Sequence, residues 1–223
     1  MNTPVIVLNF KAYSQVCGEA GLKLAKICEQ VAAEFKHSIV VVPQMVDLAL
    51  TIKNVNIPVF AQHVENAKVG SSTGHVTPES VAACGAAGTL INHSEHRLKL
   101  SDIEELIKRS KDLNLETIVC TNNLVVTNAA AQMNPNYVAI EPPELIGGDI
   151  SVTSADPDIV KNAVDEVLKI NPKVGVLCGA GVKTGDDVRK AIELGTDGVL
   201  LASGVTKAAD PRNALVELLK GLD

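Results

Sequence analysis

The chain has no tryptophan, and only three phenylalanines and two tyrosines in 223 residues. So few aromatic rings leave almost nothing on which nucleic-acid bases could stack. Positive charge is short as well: 20 lysines and arginines against 26 acidic residues give a net charge of -6. A dedicated nucleic-acid binder needs a basic stripe, and this balance argues against one. A local anion site is still allowed, because a few backbone amides and one lysine can hold a phosphate. The five cysteines (Cys17, Cys28, Cys84, Cys120, Cys178) form an odd, widely spaced set with no C-x-x-C. That pattern is neither a disulfide framework nor a zinc site, and it fits reduced cytosolic thiols. No apolar run reaches the roughly 18 residues needed to span a bilayer. Met1-Asn2-Thr3-Pro4-Val5 also lacks the charged-then-apolar layout of a signal peptide. The expectation is a cytoplasmic protein with no nucleic-acid or membrane partner.

Hydrophobic residues make up 46% and charged residues 21%, enough apolar material for a sizeable core. Short runs rich in Val and Ile recur from end to end: Val5–Leu8, Ile39–Val42, Val59–Gln62, Thr89–Asn92, Thr117–Cys120, Tyr137–Ile140, Gly175–Leu177 and Gly198–Leu201. They are apolar on both sides of the pleat, as strands covered on both faces should be. Amphipathic stretches lie between them, such as Leu22, Ala25, Ile27, Val31 and Ala32 on one helical face. Thr77-Pro78, Asp156-Pro157 and Asp210-Pro211 read as capped helix starts, the last restarting a helix begun near Thr206. Eight strands and about eight helices, at roughly 28 residues per unit, predict an α/β fold: a (β/α)8 barrel with a parallel eight-stranded core. No linker or composition shift divides residues 1–223, so one domain is expected. The alternative is a doubly wound open sheet, which usually carries G-x-G-x-x-G after its first strand. Here that place holds Asn9-Phe10-Lys11-Ala12.

In a barrel the active-site residues collect at the C-terminal ends of strands. Those ends carry Asn9 and Lys11, then Gln62-His63, Asn92-His93-Ser94-Glu95, Glu141, Gly179-Ala180-Gly181 and Ala202-Ser203-Gly204. Glu141 leaves its strand into Pro142-Pro143, and Gly147-Gly148 follow, the layout of a catalytic acid with a lid attached. His93 sits at a strand end with Ser94-Glu95 opening a turn or helix behind it. Helix-end amides there would disfavour the imidazolium and keep a neutral ring that donates a hydrogen bond. The glycine-containing turns after the last two strands suit an oxyanion, since small residues let amides approach it. His37, His75 and His96 read as structural or surface residues, and His63 as a support behind the site. One carboxylate, one imidazole, one lysine and a phosphate cup suit proton abstraction beside a carbonyl on a small phosphorylated substrate. No nucleophile–base pair, metal cluster or dinucleotide fingerprint points to acyl transfer, metallohydrolysis or hydride transfer.

These motifs resemble the triosephosphate isomerase family along the whole chain: N-F-K at 9–11, G-S-S-T-G at 70–74, N-H-S-E-H-R at 92–97 and A-I-E-P-P-E-L-I-G at 139–147. The likeness is strongest to its short archaeal branch. The resemblance implies cofactor-free, metal-free interconversion of dihydroxyacetone phosphate and glyceraldehyde 3-phosphate. It implies Glu141 as base, neutral His93 as electrophile, Lys11 as positive charge, Asn9 as hydrogen-bond partner and Glu95 as supporting carboxylate. That acid/base pair is the family's established and much-analysed chemistry. Phosphate would rest on Ile146 and Gly148 of the lid together with Gly181, Ala202 and Ser203. The loop at 70–74 resembles the family's intersubunit loop, with Thr73 reaching a neighbour's active site, and so implies a homotetramer. One departure stands out, because Ile146-Gly147-Gly148-Asp149 replaces the common I-G-T-G and adds an aspartate near an anionic ligand. Two other readings use the same fold: a sugar-phosphate epimerase, and a barrel that binds without turnover. An epimerase of that kind usually carries paired acids and histidines, a set that cannot be assembled here. A binding module has no use for an aligned base and electrophile.

Overall fold

The computed structural model describes residues 1–145, 148 and 151–222. Eight strands lie in chain order: β1 (Val5–Asn9), β2 (Ser38–Val42), β3 (Phe60–Ala61), β4 (Gly88–Ile91), β5 (Glu116–Thr121), β6 (Tyr137–Ile140), β7 (Gly175–Gly179) and β8 (Gly198–Leu201). They pair in parallel in the order β2-β1-β8-β7-β6-β5-β4-β3. A single parallel bridge, Val41 to Val59, joins the two ends of this sheet and closes the barrel. All eight predicted strands are present. β3 is the shortest: of the expected Val59–Gln62 only Phe60–Ala61 form a strand, and Val59 pairs through that bridge.

The strands are buried on both faces because two layers of apolar side chains alternate along them. Val5, Val7, Val42, Leu90, Ile118 and Leu177 are among those that fill the barrel interior. Ile6, Leu8, Val41, Val138 and Ile140 face outward and pack with the helices. Continuing this alternation past the strand ends brings Asn9 (after Val5 and Val7), Glu141 (after Ala139) and Gly179 (after Leu177) to the barrel axis. The register that packs the interior thus also aims the site.

Ten α-helical segments occur among the described residues: α1 (Glu19–Phe35), α2 (Leu48–Ile52), α3 (Pro78–Ala83), α4 (Leu100–Asp112), α5 (Leu124–Gln132), α6 (Val152–Ala155), α7 (Pro157–Ile170), α8 (Gly185–Glu193), α9 (Ser203–Thr206) and α10 (Pro211–Leu219). The three expected caps are made. Thr77, Asp156 and Asp210 accept from the backbone N–H three residues on, with proline in each first turn. One boundary differs from expectation. The helix after β8 ends at Thr206 rather than beginning there, and the chain runs four residues before Pro211 starts α10. The fixed φ of proline starts a new helix more readily than it continues an old one.

Candidate active site

At the C-terminal mouth of the barrel, a pocket of about 440 Å³ is lined by Asn9, Lys11, His93, Glu141, Gly181, Ala202 and Ser203, with Tyr13 and Lys183 among its other walls. Seven residues singled out in the sequence therefore meet in one place, brought there by β1, β4, β6, β7 and β8.

Glu141 is buried, and its Oε2 has no hydrogen-bond partner among the described residues. Its nearest basic neighbour is His93 Nε2 at 3.8 Å, too far for a direct hydrogen bond. The Glu95 amide donates to His93 Nδ1 at 3.2 Å. An accepting Nδ1 puts the proton of the neutral ring on Nε2, which faces the pocket. The amide behind the ring comes from a turn, not from a helix end. The helix begins only at Leu100, because residues 94–95 form a turn.

Lys11 adopts a left-handed backbone with φ 50°. Its Nζ reaches Glu95 Oε1 at 2.8 Å, and its amide donates to Asn9 Oδ1 at 2.9 Å. Gln62 holds this unusual turn in place: its Nε2 donates to Lys11 O at 3.0 Å, Val42 O at 3.2 Å and Asn9 Oδ1 at 3.3 Å. Gln62 was visible in the sequence as a strand-end polar residue, but its partners were not. His63 stacks on His96 with ring centroids 3.8 Å apart and lies 3.8 Å from Glu65 Oε1. Burial first, and then the neighbouring His96, hold its pKa below the ordinary histidine value.

Three further groups lie near Glu141: Cys120 and Cys178, which the sequence reading did not place at the site, and Gly179, which it read only as part of a glycine turn. Burial, and then the charge of the nearby Glu141 carboxylate, holds the Cys120 thiol well above its usual range. Cys178 is pushed up to about 12 by burial and by the charges of Glu141 and Asp187. Both therefore stay thiols at neutral pH. A Cβ on Gly179 would lie 2.7 Å from Glu141 Cγ and 2.8 Å from Oε1, so only glycine leaves the carboxylate its present position. An alternating strand pattern marks these three as interior or exterior, but cannot show which strand end faces them.

The glycine turn after β7 carries two consecutive left-handed residues, Ala180 and Gly181, both with φ 72°. α9 opens at Ser203 on the facing wall, and the amides at its start have no acceptor within the helix. Gly148 does not line the pocket, and its amide donates to Leu145 O at 3.1 Å. Ile146, with Gly147 and Asp149, lies outside the described residues. Thr73 stands exposed on the 70–74 loop, away from the pocket.

Such a mouth on such a barrel defines a class first: a (β/α)8 enzyme built for acid–base chemistry on a small anion. Comparison with known proteins narrows it. A sequence model described as triosephosphate isomerase matches residues 4–221. The triosephosphate isomerase of Methanocaldococcus jannaschii is 52% identical over 97% of this chain and 99% of its own length. That of Methanothermus fervidus is also 52% identical, over 98% and 99%. That of Methanosarcina barkeri is 50% identical over 99% of both chains. The chain belongs to the triosephosphate isomerase family.

Proposed function

We propose how this chain carries out its reaction, the interconversion of dihydroxyacetone phosphate and D-glyceraldehyde 3-phosphate in glycolysis and gluconeogenesis. Glu141, as carboxylate, takes a proton from the carbon beside the carbonyl, leaving an enediolate. His93 donates its Nε2–H to the carbonyl oxygen as negative charge grows there, and passes protons between the two oxygens. Glu141 returns its proton to the adjacent carbon, so the atoms balance and no cofactor is consumed. A glutamate base beside a neutral histidine is the worked case for which this family is known. Lys11 offsets the charge of substrate and enediolate, Asn9 hydrogen bonds the substrate, and Glu95 holds Lys11 in place.

The observation that carries this reading is the unpartnered Glu141 Oε2, buried and 3.8 Å from His93 Nε2. A buried carboxylate oxygen without a donor costs stability, which a role in proton transfer explains. The phosphate rests on the amides of Gly181, Ala202 and Ser203, and the lid residues Ile146 and Gly148 close over it to keep water out. Residues 1–223 form one barrel domain. The protein is cytoplasmic and works as a homotetramer in which Thr73 reaches a neighbour's pocket.

The test is conversion of glyceraldehyde 3-phosphate to dihydroxyacetone phosphate in a coupled assay, for the parent and for Glu141→Gln. We expect the variant to bind inorganic phosphate as the parent does and to lose more than about 10²-fold in turnover. Near-normal turnover in Glu141→Gln would remove the base from this scheme.

A further inference from the structure

The left-handed Ala180 is disfavoured for any residue with a Cβ, so its neighbours must hold the turn in shape. The turn is gripped at both ends. Ala180 O accepts from Val152 N at 3.1 Å, from the segment that follows the lid. At the other end stands Asp187, in the first turn of α8. Its Oδ2 accepts from Thr184 Oγ1 at 2.8 Å and Thr184 N at 3.0 Å, and its own amide donates to Thr184 Oγ1 at 3.2 Å. Those contacts make a capping box. A fourth contact goes further: Oδ2 also accepts from Lys183 N at 3.1 Å, and Lys183 is itself a wall of the pocket. A cap alone has no need of that bond. The Asp187 carbonyl meanwhile faces Thr153 Oγ1 at 3.5 Å, and Lys190 Nζ of the same helix donates to Ser154 Oγ at 3.2 Å. The start of α8 thus meets both the post-lid segment and the glycine turn, and the Asp187 carboxylate makes the link to the turn.

We infer that Asp187 is a positioning residue for the anion-holding turn at 180–183, fixing its amides for substrate phosphate without touching substrate. The inference rests on the reading above that this turn takes the phosphate.

The test measures KM, kcat, competitive inhibition by inorganic phosphate and thermal midpoint for the parent, Asp187→Ala, Asp187→Asn and Asn123→Ala. Asn123 caps α5 through Val126 N and lies outside the pocket, so its variant reports the cost of losing a cap alone. We expect Asp187→Ala to raise KM and the phosphate inhibition constant together by about tenfold, as loss of a charge-assisted bond predicts, with kcat changed less. Asp187→Asn, equal in shape but a weaker acceptor, moves both in the same direction by less, and decides the matter alone if the alanine variant does not fold. Asn123→Ala lowers the midpoint and moves neither constant. The inference falls if both Asp187 variants melt earlier with unchanged KM and phosphate inhibition. It also falls if Asp187→Asn binds phosphate more tightly, since the carboxylate would then act only by its charge. A parent that phosphate does not inhibit would overturn the phosphate reading of the turn itself, a separate failure from that of Asp187.

Discussion

The two ends of this barrel are built from the same eight strands and treat their polar groups in opposite ways. At the N-terminal end they are tied off. Asn136 Oδ1 accepts from Thr117 N at 3.0 Å and Thr117 Oγ1 at 3.1 Å, while Asn136 N donates back to Thr117 Oγ1 at 3.1 Å. Asp197 Oδ2 accepts from Val176 N at 2.8 Å, and Asp197 O from Val5 N at 3.0 Å. At the C-terminal end the Glu141 carboxylate keeps an orphan oxygen, and Lys11, Asn92 and Ala180 all hold positive φ. One end spends its hydrogen bonds on closing the barrel, and the other keeps an open valence for a ligand. Stability and chemistry are thus separated along the strand direction by about the length of one strand.

Substitutions at the two ends should therefore fail differently. The largest effect is expected from Gly179→Ala, whose new Cβ would displace Glu141: kcat should fall by about 10²-fold, as a misplacement near 1 Å does elsewhere. Steady-state kinetics checks this, and an unchanged kcat would mean the carboxylate acts from another position. Lys11→Met comes next. It should weaken inhibition by inorganic phosphate by about tenfold at low salt and flatten its salt dependence, because an ionic attraction that salt screens is lost. Equal phosphate affinity across a salt titration would place Lys11 outside the site.

Asn136→Ala tests the other end. Two Thr117 donors lose their acceptor, so unfolding should cost about 1–3 kcal/mol less, with kcat and KM unchanged. A matched loss of activity in urea-free buffer would erase the division between the ends. The smallest effect concerns His63, at the edge of the mouth. Its folded pKa lies below the ordinary 6.5, so the unfolded chain takes up the proton first as pH falls. Stability tied to the neutral ring is present above 6.5 and is lost progressively below it. The His63→Asn variant should accordingly show a shallower fall in melting temperature from about pH 7 to about pH 5. An identical acid limb would assign the loss to other groups.

Much of this was legible in the chain. The strands were readable because burial on both faces demands continuous Val and Ile, and Thr77, Asp156 and Asp210 announced their helices through cap chemistry that is local. Asn9, Lys11, His93 and Glu141 could be picked out as polar groups ending apolar runs. Local patterns do not say which of them touch, and only the family resemblance put Glu95 near Lys11. The Lys11–Glu95 pair spans 84 residues of sequence and exists only because β1 and β4 end on the same rim. Gln62 looked like any strand-end amide until closure set β3 beside β2, the strand that pairs with β1. The amide behind His93 was expected at a helix end, and it belongs to a turn instead.

The sequence by itself determined the class of fold and the inventory of reactive groups, because periodicity, capping and strand-end position are properties of neighbours along the chain. Only the three-dimensional packing shows that Gly179 must lack a Cβ and that Cys120 and Cys178 lie near the carboxylate as thiols. Each of these depends on closing a parallel barrel, which sets side by side groups that no local rule relates. Closure is also what takes Glu141 out of water and leaves its oxygen without a partner. A carboxylate becomes a poised base through its surroundings, and those surroundings come from five other strands.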